Sequence, residues 1–319
     1  MVSNPKITFT CVTYNRVTML RNLLLSFSLA NRGYDNFEWM VLEHDTNDGT
    51  VDFLKNINRD PLFEPLRGKI KVFYESDREY LDHLRSKGID VSTNMKKCQA
   101  FFGKFRNDLV RQSQGDIIVD LPDDHQFITR GNFCQDIVDI FKDRVEKVGY
   151  DDIGTLTFRT RFLYRIKKKN NSHDPVQKTS SNVEYFVVNS YKTCDDWGAI
   201  SRSNFDKIGG YTQLENETSE IIEKWNNTDY YVHHYDTMMK KTKDAGLKKI
   251  MTKVPIVHDC INDSIAGQIN KGRLSMAFPI FNKDDVKKRL GHLERCTGIH
   301  EFERISVKMK QEVSNKEAN

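Results

Sequence analysis

No apolar run in this 319-residue chain approaches the roughly 18 residues of a membrane-spanning helix, so a bilayer-crossing protein is not expected. The opening stretch, MVSNPKITFTCV, lacks a basic region, a long apolar segment and a cleavage site. It reads as the first strand of a domain rather than a secretion signal. Cysteine is sparse: Cys11, Cys98, Cys134, Cys194, Cys260 and Cys296 are scattered without CxxC spacing, which argues against a zinc site. Buried free thiols in a reducing cytoplasm account for them, with peripheral membrane association left open. The Asn-x-Ser/Thr triplets at Asn170, Asn216, Asn226 and Asn262 then carry no glycosylation meaning. No internal repeat is present, and neither sign of charge dominates. A net charge of +4 permits an anionic ligand without predicting nucleic-acid binding. The segment after the first strand, CVTYNRVTM, contains no glycine. That absence argues against a nucleotidyltransferase, which needs a glycine-rich loop there to cradle a triphosphate.

What is present alternates. KITFTCV, FEWMVLE, IKVFYE and DIIVDL read as strands separated by helices, among them VTMLRNLLLSFSLAN, one from about Lys97 to Gln112 and one after Gly131. Such βαβ units predict an α/β fold with a mostly parallel sheet flanked by helices. The middle changes character: GTLTFRTRFLYRI and VEYFVVNSY predict a small antiparallel part, joined by an exposed lysine- and serine-rich loop. WGAIS, a short helix ending at Gly209-Gly210, a helix from about Asp229 to Ala245 and a last strand LKKIMTKVPIVH complete the domain. The expected division is a main domain over 1–258, in two halves (1–128 and 129–258), then a helical extension over 259–319.

Unusual polar groups fall at the expected carboxyl ends of the strands, where open α/β sheets bind ligands. Thr13, Tyr14 and Asn15 end the first strand, Glu43 the second, Asp123 to His125 follow a later one, and His258 ends the last. In an extended segment residues i and i+2 share a side, so Asp123 and His125 can hold one ion while Asp124 points away. One carboxylate and one imidazole suit manganese or a similar borderline cation better than calcium, with magnesium as the alternative. The competing reading makes the two aspartates helix caps, His125 a surface residue and His258 a packed strand-end histidine.

Five segments, in order, carry a resemblance. ITFTCVTYNRVTMLRNLLLSF, WMVLEHDTNDGTVDFL, FRNDLVRQSQGDIIVDLPDDHQF, WGAISRSNFDKIGGY and YDTMMKKTKDAGLKKI together resemble the family 2 glycosyltransferases of the GT-A fold over most of residues 5 to 260. The resemblance implies a nucleoside-diphosphate sugar donor, UDP-linked by preference, and a glycan, lipid-linked or other hydroxyl acceptor. Thr13, Tyr14 and Arg16 would line the nucleoside pocket, and Glu43 stands where the family has an aspartate at the base or ribose. Asp123 and His125 would be an Asp-x-His form of the metal motif, similar to that of the polypeptide N-acetylgalactosaminyltransferases, with His258 completing it. Lys104, Arg106 or Arg273 could add positive charge near the diphosphate. The Glu-Asp pair expected after Gly-Gly is missing, leaving Asp236 as the best match for the catalytic base and Asp229 or His234 as alternatives. Inversion is expected, though the Asp-x-His likeness points to retaining enzymes. A catalytically inactive sugar- or nucleotide-binding module and a transferase acting on modified nucleic acid are the other readings.

Overall fold

The computed structural model describes residues 4–44, 46–127, 131–158, 174–188, 198–227, 234–253 and 256–259. Its centre is a nine-stranded sheet of order β3-β2-β1-β4-β9-β6-β10-β8-β7. The strands are β1 (Ile7–Thr13), β2 (Phe37–His44), β3 (Ile70–Glu75), β4 (Ile117–Asp120), β6 (Ile153–Thr157), β7 (Gln177–Lys178), β8 (Glu184–Val188), β9 (Ala199–Ser201) and β10 (Lys248–Thr252). All run one way except β8 and β9, as the pairings of neighbouring strands require. The mostly parallel α/β sheet flanked by helices is the expected fold class. A separate ribbon pairs β5 (His125–Phe127) with β11 (Val257–Asp259).

The helices are α1 (Val17–Ala30), α2 (Thr50–Asn56), α3 (Asp77–Ser86), α4 (Asn94–Gln112), α5 (Phe133–Val148), α6 (Arg202–Lys207), α7 (Ser219–Asn227) and α8 (His234–Asp244). The expected last strand is divided: β10 ends at Thr252, and the chain resumes as β11, which pairs with β5 instead of extending the main sheet. Helices α3 and α7 lie in stretches whose polar composition gave no helical expectation. Their apolar residues are few, but Tyr80, Leu81, Leu84 and Trp225 are buried.

Aromatic burial fixes α1 against the sheet. Phe9 on β1 stacks on Trp39 of β2 at 4.8 Å, and Phe27 of α1 meets both edge-on at 4.9 and 5.2 Å. Phe27 also meets Phe127 at 5.1 Å, and the Ser26 hydroxyl accepts from the Phe127 N–H at 2.9 Å. The strand that begins with His125 is thereby clamped to α1. Truncating Phe27 would cost about 3–5 kcal/mol, the range for a buried phenylalanine.

On the other face, α4 holds the segment after Gly209-Gly210. Asn107 donates to the Tyr211 carbonyl at 2.8 Å and accepts from its N–H at 2.9 Å. A methyl on Gly103 would lie 1.8 Å from the Thr212 carbonyl oxygen, so only glycine permits this approach. At the carboxyl end of α4, Arg202 donates to the carbonyls of Val110, Ser113 and Gly115, at 3.0, 3.1 and 2.9 Å. The Val110 carbonyl also accepts from the Ser113 N–H at 3.1 Å, so the guanidinium adds to the cap where α4 ends.

Candidate functional site

The chain runs from β1 outward to β2 and β3, then returns to place β4 on the other flank of β1. The carboxyl ends of β1 and β4 therefore border a topological switch point, where connections leave in opposite directions and open a crevice. Thr13 ends β1, and Asp123 lies just beyond β4.

Asp123 is 3% exposed. Its Oδ2 accepts from the Thr13 hydroxyl at 2.9 Å, and its Oδ1 pairs with Arg16 Nη1 at 2.9 Å. The same guanidinium nitrogen lies 3.6 Å from Asp124 Oδ2. Burial pushes the Asp123 carboxyl above the usual carboxylate range; Arg16 opposes that shift and Asp124 adds to it.

The loop carrying Arg16 is fixed. Asn15 adopts a left-handed φ of 50°, which asparagine tolerates better than most residues. Its Oδ1 accepts from the Asn47 N–H at 2.9 Å, while Asp48 accepts from the Val17 N–H at 2.8 Å. The turns after β1 and β2 are thus tied to each other. Tyr14 stacks on His44 at 4.8 Å and 15°, and the His44 ring in turn contacts Phe101 and Phe105 of α4. Buried Glu43 accepts from the Thr46 N–H at 2.6 Å, holding the turn after β2.

Two expectations change at the acidic stretch. Residues 123 and 124 form a turn, closed by a hydrogen bond from the His125 N–H to the Pro122 carbonyl at 3.3 Å, and are not extended. The i, i+2 argument for Asp123 and His125 therefore does not apply. Asp124 is not a spacer pointing away: its Oδ1 lies 2.9 Å from Nδ1 of the buried His125. The sequence signal for Asp124 was its adjacency to both residues, which strand periodicity obscured. His44, beside Glu43, was likewise missed.

Arg106, expected near the diphosphate, is only 4% exposed and donates through Nε to Asp120 Oδ2 at 2.8 Å. Asp120 also accepts from the Thr10 hydroxyl at 2.9 Å and from the Tyr211 hydroxyl. This network braces the floor beneath the crevice instead of lining its mouth. Lys104 is paired with Glu75 at 3.2 Å and Asp108 at 2.7 Å, beside a cleft of about 430 Å³ that Tyr80, Arg111 and Glu215 also line. Arg273 and Asp229 lie outside the described residues. Asp236 and His234 fall in the first turn of α8 by their backbone, and their side chains are outside the description. His258 is placed by its backbone alone: β11 sets it opposite Gln126, and sets Asp259 opposite His125.

Among the described residues no three His, Cys, Asp or Glu side chains form a cage for a metal ion. The donor types fit a divalent cation all the same. Manganese and magnesium at phosphates are commonly held by one or two carboxylates, with the substrate oxygens and water completing the shell. The Asp123 carboxylate already carries one positive charge, the Arg16 guanidinium, with which such a cation would have to share it.

No known family profile matches the sequence, and no curated protein does. Among solved structures, the chain is similar to S. aureus TarS, with 11% identity and a TM-score of 0.48, covering 90% of this chain and 42% of that one. It is also similar to S. aureus TarS 1-349 in complex with UDP, with 12% identity and a TM-score of 0.48, covering 90% and 70%. A third is the mannosyltransferase PcManGT from Pyrobaculum calidifontis in complex with GDP-Man and Mn2+, with 12% identity and a TM-score of 0.49, covering 99% and 76%. The chain spans less than half the length of the longer TarS structure. Among the described residues no helix is long and apolar enough to cross a membrane.

Proposed function

We propose that the chain is a glycosyltransferase of the GT-A kind that moves a sugar from a nucleoside-diphosphate donor, UDP-linked by preference, to an acceptor hydroxyl. The observation that carries this reading is a buried aspartate at the switch point, held by Thr13 of β1 and by Arg16 of the following turn. Such a carboxylate at the carboxyl ends of β1 and β4 is suited to holding a cation that would in turn position a diphosphate in the crevice. Tyr14 offers a ring at the same rim, and Glu43 holds the neighbouring turn on which a base or ribose would rest.

Asp123, His125 and a residue of β11 are the proposed holders of a divalent cation, Mn2+ by preference. The resemblance nominates His258 for the third position, whereas the strand register nominates Asp259. Such an ion, when bound, offsets the charge that builds on the leaving diphosphate. Asp236, in the first turn of α8, is the proposed base that takes the proton from the acceptor hydroxyl. A base acting on the face opposite the leaving group gives inversion at the anomeric carbon.

Calorimetry and thermal-shift titration with a panel of UDP- and GDP-sugars, with and without Mn2+, test the reading. A UDP-sugar is expected to bind and raise the melting temperature only when the metal is present. Binding by no member of the panel would overturn the donor class. Asp236→Asn is expected to bind donor normally and to lose transfer, measured as released nucleoside diphosphate. Turnover at the wild-type rate would remove Asp236 as the base.

A further inference from the structure

Arg16 is the feature of the crevice that the proposed function does not itself explain. Both oxygens of Asp123 are engaged, Oδ2 by Thr13 at 2.9 Å and Oδ1 by Arg16 at 2.9 Å. The Thr13 contact is neutral and joins two residues at adjacent strand ends. The Arg16 contact is charged, reaches Asp124 at 3.6 Å as well, and ends a long side chain that is 13% exposed. The backbone beneath it is pinned from two sides by Asn47 and Asp48. These two bonds restrain the loop, so rotation of the long Arg16 side chain is the direct route by which the contact can open.

A divalent cation bound by the Asp123 carboxylate would lie within a few ångströms of the Arg16 guanidinium that already pairs with it. Two cations that close repel strongly in a buried setting. We infer that Arg16 is an internal competitor for the metal position: its guanidinium neutralises Asp123 and Asp124 in the ligand-free protein and exchanges to the donor diphosphate when metal and nucleotide enter together. The inference rests on the proposed donor class and adds an order to its binding. Metal alone is disfavoured, because it enters against the Arg16 guanidinium with no added anion to offset the two cations. Metal with diphosphate is favoured, because the phosphates give the freed guanidinium a bidentate anion to bind.

Mn2+ titrations followed by the electron paramagnetic resonance of the free aqueous ion, with UDP titrations by calorimetry, test the exchange in wild type, Arg16→Gln and Arg16→Lys. Arg16→Gln is expected to bind Mn2+ alone roughly tenfold more tightly and UDP in the presence of Mn2+ roughly tenfold more weakly, a conservative allowance for one unit charge near a protein surface. Arg16→Lys, which keeps the charge and loses the fork, is expected to fall between, and it carries the test if circular dichroism shows Arg16→Gln unfolded. Mn2+ affinity unchanged or weakened in the folded variant would overturn the competition. Unchanged UDP affinity would overturn the exchange to the diphosphate. Failure of the wild type to bind any nucleoside diphosphate would instead strike the proposed function, and the Mn2+ titration would still report on Arg16.

Discussion

The two ends of the sheet treat a buried carboxylate in opposite ways. At the amino end, Glu38 of β2 accepts from the Gln114 N–H at 2.7 Å, from the Thr8 hydroxyl at 2.8 Å and from Lys71 at 2.9 Å, with Lys6 at 3.2 Å. Burial works against its ionisation, but these four donors outweigh burial and hold its pKa at about 2. At the carboxyl end, Asp123 has one hydroxyl and one guanidinium, with a second carboxylate beside it, and burial keeps its pKa raised. Glu38 is saturated with donors and ties β1, β2, β3 and the segment before β4 together. Asp123 has both oxygens engaged but shares its single guanidinium with Asp124. Four donors outweigh burial at Glu38, whereas one shared cation does not at Asp123, and carboxylates perturbed in that way gather at functional sites.

The contrast can be broken first at Asp123. Asp123→Ala is expected to weaken metal-dependent nucleoside-diphosphate binding by ~100-fold or more while the chain stays folded, as calorimetry and circular dichroism would read. Unchanged binding would place the ligand elsewhere.

Glu38→Gln is expected to do the reverse: about 2 kcal/mol of stability lost at pH 7 by denaturant titration, with nucleotide affinity unchanged. The sign of its pH dependence follows from the lowered pKa. The folded state binds the proton less readily than the unfolded one, so the contribution is complete above about pH 4.5 and fades as pH falls toward 2. The gap between wild type and variant should close over that range.

The smallest effect is expected at Asp136, in the first turn of α5. Burial, then Asp139, raises its pKa to about 6. Here the folded state holds the proton more tightly, so the stabilising contribution is present at low pH and is lost as pH rises through 6. Asp136→Asn should gain about 1 kcal/mol at pH 7, reduced by loss of a favourable helix-dipole interaction, with the gain vanishing toward pH 4. A destabilised variant at pH 7 would show that an ion pair outweighs burial at that position.

Much of the architecture was legible in the residues. Strands β1 to β4 carry apolar runs bounded by turn residues, and α1 and α4 carry long apolar stripes, so periodicity and length sufficed. Two of the cysteines, Cys11 and Cys134, are buried free thiols as composition suggested. The gathering of polar residues was legible as a location, because Thr13, Glu43 and Asp123 end or follow strands and the parallel strands end on one rim. Helix α3 was not legible, since its buried side needs only Tyr80, Leu81 and Leu84. Its register is set by packing on α4, which no local pattern records.

The sequence by itself determined the order of strands and helices, and hence the rim on which the polar residues gather, because hydrophobic period and turn chemistry are local properties. Only the tertiary structure decided which partner each charge takes. Arg106 was expected near the diphosphate and Arg16 in the nucleoside pocket, yet one is buried under Asp120 and the other rests on Asp123. That difference depends on the packing of α4 on β1 and β2 and on the short turn after β1. Asp124 was assigned to the wrong side for the same reason: one turn after Pro122 replaces the extended chain. Partner choice is set by distances of a few ångströms between segments some hundred residues apart, as in the Thr13–Asp123 pair, and it is fixed when the sheet assembles.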